Sequence, residues 1–197
     1  MPMGRKQIPN LDEKLLEATI DVGGSNSPNI NFSTKRIASL CGTSEFTLFQ
    51  RYENKTVLIT KAMQKCEKTI SDKFKELSLD QNNDFPAFID KAFHYFLSEP
   101  KMTLFMCNYF PAASRSKNTD EDFALYRENG KVFFDSISRY FKKLDDDTMF
   151  LVWSSLLRHL LFDAQFILAN IMSLDKDYEN RVIEVNYDGL YGFLEDF

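Results

Sequence analysis

Between residues 34 and 55 the chain concentrates hydroxyl, amide and cationic side chains: Thr34, Lys35, Ser44, Thr47, Gln50, Arg51 and Lys55. Hydroxyls, an amide and cations of this kind hold phosphate oxygens and base edges. They are not the histidines, thiolates and paired carboxylates of acid–base or metal chemistry. Asn54 is a candidate N-cap, which puts Lys55 at the first position of a helix. A cation there faces the positive end of the helix dipole, at a cost of a few tenths of a kcal/mol. A phosphate at the same terminus reverses that sign. Further along, His159 and Asp163 stand at i, i+4 and can meet across one helical turn. Two ligands do not make a metal site. With two histidines in all, no glycine-rich phosphate loop and no metal-spaced cluster, an enzyme built on that pair has little support. No metal or cofactor is called for.

The elements that must position the first group are short. Ser33 caps a helix whose apolar side is Ile37, Ala38 and Leu40, and Ala38 is small where two helices cross. Gly42 falls where a turn between helices needs a positive φ. Ser44 caps a second short helix, with Leu48 and Tyr52 inward and Glu45, Phe46, Thr47 and Gln50 outward. A helix, a tight turn and a second exposed helix form the helix-turn-helix unit, whose second helix enters the DNA major groove.

The series Thr34, Ile37, Ala38, Gly42, Ser44, Thr47, Leu48, Phe49, Tyr52, Lys55 and Leu58 resembles the DNA-binding signature of tetracycline-repressor (TetR) type regulators. The resemblance covers roughly a sixth of the chain and is specific because type and spacing agree at many positions together. It implies that Thr34 and Lys55 contact backbone phosphate, and that Glu45, Phe46 and Thr47 lie near base edges. Phe49 stands where the family usually has a tyrosine whose hydroxyl binds phosphate, so that bond is absent. Glu45 brings a negative charge to the groove, where it can accept from a cytosine amino group, and Phe46 can meet a thymine methyl. Gln50 and Arg51 are candidate replacement contacts.

The resemblance also implies an all-α architecture: an N-terminal three-helix DNA-binding domain over 1–54, then a ligand-binding and dimerisation domain over 55–197, with a connecting helix over 54–77. It implies a homodimer through the last two long helices, about 146–174 and 177–196, and a small apolar or aromatic effector. A second reading keeps the fold but gives up DNA recognition for ligand or protein binding; Phe49 and Glu45 motivate it.

Charge is distributed to match. The net charge is −5, but residues 1–65 hold nine Lys/Arg against six Asp/Glu, while 66–197 hold fifteen against twenty-three. A basic end and an acidic remainder orient a molecule toward phosphates. Three cysteines without a secretory pattern fit reduced thiols in a cytoplasm. No apolar run approaches the ~20 residues of a membrane span. The most apolar stretch, Met149 to Met172, is broken by Arg158, His159, Asp163, Gln165 and Asn170.

Arg5 and Lys6 belong to an N-terminal arm. Leu11, Leu15, Ala18 and Val22 stripe a first helix over 10–22, and residues 23–31 read as a loop longer than the family usually has. Leu58, Ala62, Cys66, Ile70 and Leu77 stripe the connecting helix. After residue 66 come sixteen of nineteen Phe, seven of eight Tyr and the single Trp, the material of an adaptable apolar cavity and equally of a core. Asp84 to Ser98 is amphipathic, with His94 on the polar side. Pro100 opens the next helix, which Pro111 is expected to end or kink, with a polar loop from Ala112 to Thr119. A long helix is expected over 120–144 and a last one over 178–197. Candidate pocket residues are Met102, Met106, Tyr109, Tyr126, Arg127, Trp153 and His159. Of these, Arg127 has no carboxylate at i±3 or i±4 and suits an anionic ligand group.

Overall fold

Short polar side chains set where the helices begin. Ser33 accepts the Arg36 N–H, Ser44 that of Thr47, Asn54 that of Val57, Asp84 that of Ala87 and Asp145 that of Thr148. Each satisfies one of the donors a helix start leaves unpaired. The computed structural model describes residues 8–25, 32–80, 84–115, 128, 131 and 145–168. Among them the regular elements are α1 (Leu11–Gly23), α2 (Thr34–Leu40), α3 (Glu45–Tyr52), α4 (Lys55–Leu79), α5 (Phe85–Ser98), α6 (Pro100–Arg115) and α7 (Asp146–Leu168). The arm with Arg5 and Lys6 and the helix expected over 178–197 lie outside the described residues. So does the helix over 120–144, apart from Glu128 and Lys131, which are helical and exposed.

α1 packs on α2, α4 and α6; α4 packs on α1, α3, α5 and α6; α7 packs on α5 and α6. One continuous core results. Leu15, Ile37, Leu48 and Leu58 fill its N-terminal part, and Phe74, Phe88, Phe93, Phe96 and Phe105 fill the rest, all 0–1% exposed. The phenylalanines meet edge to face, Phe74 with Phe88 at 5.6 Å and with Phe96 at 5.8 Å between centroids. That geometry adds about 0.5–1.5 kcal/mol per pair beyond area burial.

Two expectations change. Pro111 does not end α6, which continues to Arg115, so Ala112 to Arg115 is helix and not loop. Proline removes one backbone donor, but α6 is held by α1, α4, α5 and α7, and tertiary packing outweighs local propensity. α4 is buried over a wider arc than its predicted stripe: Ile59, Met63, Glu67, Ser71, Phe74 and Ser78 are buried too, while Leu77 is half-buried. Neighbours on several sides bury this wider arc, and Lys61, Lys68 and Asp72 keep the remaining face in solvent.

Candidate nucleic-acid interface

The turn between α2 and α3 is closed by two backbone bonds. Thr43 N–H donates to the Ala38 carbonyl at 2.9 Å and Gly42 N–H to that of Ser39 at 3.0 Å. This is the Schellman termination, and it needs a left-handed residue, supplied by Gly42 at φ +66°. A Cβ built on Gly42 meets nothing within 4 Å, so glycine is required there for backbone conformation and not for space.

On α3, Leu48 and Tyr52 are buried, as their spacing predicts. Phe46 is 65% exposed, and Ser44 and Gln50 are exposed beside it. Glu45 and Thr47 are half-buried and not fully outward. The reason is local bonding. Thr34 Oγ1 donates to Glu45 Oε1 at 2.5 Å, tying the start of α2 to the start of α3. The Thr47 and Ser44 hydroxyls lie 3.1 Å apart. Phe49 is half-buried against the core, where a ring without a hydroxyl is at ease. Lys35 is exposed. Arg51 pairs with Asp12 of α1 at 2.6 Å, and the Tyr52 hydroxyl donates to the Asp12 carbonyl at 3.2 Å. Burial, with Asp12 close by, pushes the Tyr52 phenol up to about 12, so it stays a donor at neutral pH.

Between α3 and α4, Glu53 adopts φ 52°, ψ −56°, with the Asn54 N–H bonded to the Tyr52 carbonyl. This is a γ-type turn, which for a residue with a side chain stores roughly 1–3 kcal/mol. Lys55 follows the Asn54 cap, and its Nζ sits 4.8 Å from the centre of the Phe32 ring. Phe32 meets Tyr109 of α6 edge to face at 5.4 Å. Phe32 and Asp12 are therefore structural partners of the interface that local sequence patterns do not single out.

α1 joins this unit to the remainder. Lys65 of α4 bonds Glu13 and, at 3.2 Å, Glu17. Lys101 of α6 pairs with Asp21 at 2.9 Å, and Asn108 donates to the Gly23 carbonyl at 3.2 Å. The helices touch closely here: a Cβ on Gly24 would lie 1.9 Å from the Lys101 carbonyl oxygen, and one on Gly23 would lie 2.5 Å from the Phe105 ring.

The candidate pocket residues are spread out. Met102 and Met106 are buried in the core, and Tyr109 sits at the contact with Phe32 and Phe105. His159 is exposed, with Nδ1 2.9 Å from the Ser155 carbonyl oxygen. Trp153 belongs to α7; Tyr126 and Arg127 lie outside the described residues. His94 is exposed, as expected. The thiols of Cys66 and Cys107 are pushed up to about 12 by burial and remain protonated. Among the described residues no group of three or more His, Cys, Asp or Glu could hold a metal ion. The sequence reading passed over Glu67, which is buried on α4 with its carboxyl pushed up to about 7 by desolvation. Its only signal was position, since it lies four residues after Met63 and three before Ile70.

The fold recurs in solved structures. A TetR family transcription regulator from Marinobacter aquaeolei VT8 superposes with a TM-score of 0.61 at 16% identity, covering 90% of this chain and 94% of its own. A structure from Mesorhizobium loti MAFF303099 gives 0.60 at 14% identity, covering 96% and 98%. The TetR-like transcriptional regulator LfrR from Mycobacterium smegmatis, in complex with proflavine, gives 0.53 at 15% identity, covering 84% and 99%. No family model and no curated protein matches the sequence. The fold is thus the all-helical TetR fold, a helix-turn-helix unit followed by a larger helical part. Among the described residues no helix is long and apolar enough to cross a membrane.

Proposed function

We propose that this chain is a transcriptional regulator that binds operator DNA as a homodimer and changes its affinity when its C-terminal helices take up a small molecule. The observation that carries this reading is the α2–α3 unit. A glycine-turned, twice-capped helix pair exposes Phe46 and Gln50 on its second helix, with Lys35, Arg36 and Lys55 exposed on the flanking helices. Residues 1–54 are then the DNA-binding part and 55–197 the regulatory part. Thr34, Lys35, Ser44, Glu45, Phe46, Thr47, Phe49, Gln50, Arg51 and Lys55 form the DNA-facing set. Within it, Lys55 and Lys35 meet phosphate, Phe46 and Gln50 meet base edges, and Phe49 and Arg51 hold α3 in place.

Dimerisation through α7 is supported by two apolar residues in one stripe, Leu151 and Phe162, which are 62% and 54% exposed. A partner helix laid along this side of α7 would cover both. The relative solved with proflavine favours a small aromatic effector, acting by preferring one spacing of the two recognition helices. Repression is the simplest outcome, with ligand releasing DNA.

A labelled promoter fragment from beside the protein's own gene tests the reading. Binding should exceed that of random DNA at low salt and fall steeply as salt rises, because phosphate contacts release counterions. Equal binding to both fragments sinks it. The alternative, a TetR-fold binding module without DNA recognition, is favoured by the Thr34–Glu45 bond, which occupies a phosphate-facing hydroxyl with a carboxylate. Under that alternative, Lys55→Ala leaves any residual DNA association unchanged.

A further inference from the structure

Most charged side chains of α4 point to solvent: Lys61, Lys68, Asp72, Lys75 and Glu76 are exposed. Lys65 and Lys73 are half-buried, and Glu67, at 8% exposure, is the one carboxylate among the buried described residues. Among the described residues it has no hydrogen-bond or ion-pair partner. Thr19 is satisfied by the Leu15 carbonyl at 2.6 Å and Thr103 by that of Phe96 at 2.8 Å, while the buried Ser154 hydroxyl on α7 has no partner among the described residues. Glu67 is also not alone in kind. Thr60, Gln64, Glu67, Ser71 and Ser78 follow one another at helical spacing along a single edge of α4, and the last three are buried. Two residues earlier, Lys65 turns to α1, and 100° per residue puts Glu67 about 160° round the helix from it. The polar edge is thus on the opposite flank from α1. It borders an apolar side made by Met63, Ile70 and Phe74.

A core built only for stability has no use for a carboxyl in such a place, since burying its charge unpaired is costly and an apolar residue would pack as well. An incoming positive charge removes that penalty. Met63, one turn before it, and the Phe74 ring, two turns after it, lie on the adjoining apolar side, and side chains of these types suit the body of an organic cation.

We infer that Glu67 is the anionic anchor for an organic cation, an amine or quaternary aromatic nitrogen compound, bound against this edge of α4 with its apolar body toward Met63 and Phe74. The inference rests on the ligand-responsive reading above and gives its effector a charge. It points away from an anionic ligand of the sort Arg127 alone would suit.

Calorimetric titration of the full chain with 1-methylquinolinium and with 1-methylnaphthalene tests it, since the two share a shape and differ in charge. The wild type should bind the cation more tightly. Glu67→Gln should weaken the cation about ten- to a hundredfold, the scale of a lost charge-assisted bond, and leave the naphthalene unchanged. Glu67→Asp, which keeps the charge, should retain the preference, and melting curves establish that each variant is folded. If Glu67→Gln does not fold, the wild-type preference and Glu67→Asp still decide. Equal affinity for the two probes, no binding of either, or full cation affinity in Glu67→Gln overturns the anchor. Promoter binding by the unliganded protein is measured beside it. DNA binding without cation preference overturns the anchor alone, and cation preference without DNA binding overturns the regulator.

Discussion

Lys55 holds its ammonium 4.8 Å from the centre of the Phe32 ring, and the same ring meets Tyr109 of α6. The cation proposed to grip phosphate is therefore positioned by a side chain that also touches the C-terminal helices. Lys55→Ala should weaken promoter binding and reduce the salt slope by about 1, as expected for one phosphate contact. Phe32→Leu should lower stability by roughly 1–2 kcal/mol, from lost area, ring contact and cation attraction together. Urea titration reads the second effect and fluorescence anisotropy on labelled DNA the first. A Phe32→Leu protein as stable as wild type would show that the ring contact contributes nothing.

The Thr34–Glu45 bond makes a second prediction. Glu45→Gln removes a negative charge from the side proposed to face DNA and loosens its hold on the Thr34 hydroxyl. Affinity for random DNA should rise several-fold, since one unscreened charge pair in water at close range is worth about 1 kcal/mol. Specific binding should rise less if Glu45 accepts from a cytosine. Anisotropy with promoter and random duplexes separates the two. An unchanged or lower affinity for random DNA would place Glu45 away from the phosphates.

Two glycines should respond differently to alanine. Gly42→Ala forces a side chain into φ +66° with open space around it, at a cost of about 1–2 kcal/mol. Gly24→Ala drives a methyl group into the Lys101 backbone, which α6 cannot relieve without moving away from α1. Its loss should exceed that of Gly42→Ala in urea titrations. The reverse order would mean that α1 and α6 separate easily.

Glu67 predicts an unusual pH profile. Its folded pKa, about 7, lies above the unfolded reference of 4.5. Over that interval the folded state holds the proton and the unfolded state releases it. The contribution is thus fully present below about 4.5 and is lost as pH rises through about 7, about 3 kcal/mol in all. Glu67→Gln should be more stable than wild type at pH 8 and should flatten the decline. Denaturant titrations from about pH 5 to pH 8 measure it. A wild type that is no less stable at the upper end would show Glu67 to be solvated or paired.

The helix-turn-helix was legible because its determinants are local. Ser33, Ser44 and Asn54 cap the helices their positions imply, and Gly42 turns where a turn must be. Contacts between distant segments were not legible. Phe32 and Asp12 look ordinary in sequence, and their partners are far along the chain. Glu67 reads as a surface glutamate on a helix, because periodicity finds an apolar stripe but not the neighbours that cover its flanks. Pro111 does not end α6 for the same reason, since packing from four helices is invisible in the local sequence.

α1 is held at both tips. At one end Asp12 grips Arg51 and Tyr52 of α3, and at the other Gly23 and Gly24 let it lie hard against α6, with Asp21 pinned to Lys101. At 13 residues it is a rod of about 20 Å. The two joints place α3 and α6 at opposite ends of one helix, so α1 touches both. The first helix, which reads as mere packing for the motif that follows, is a strut between the two halves of the described fold.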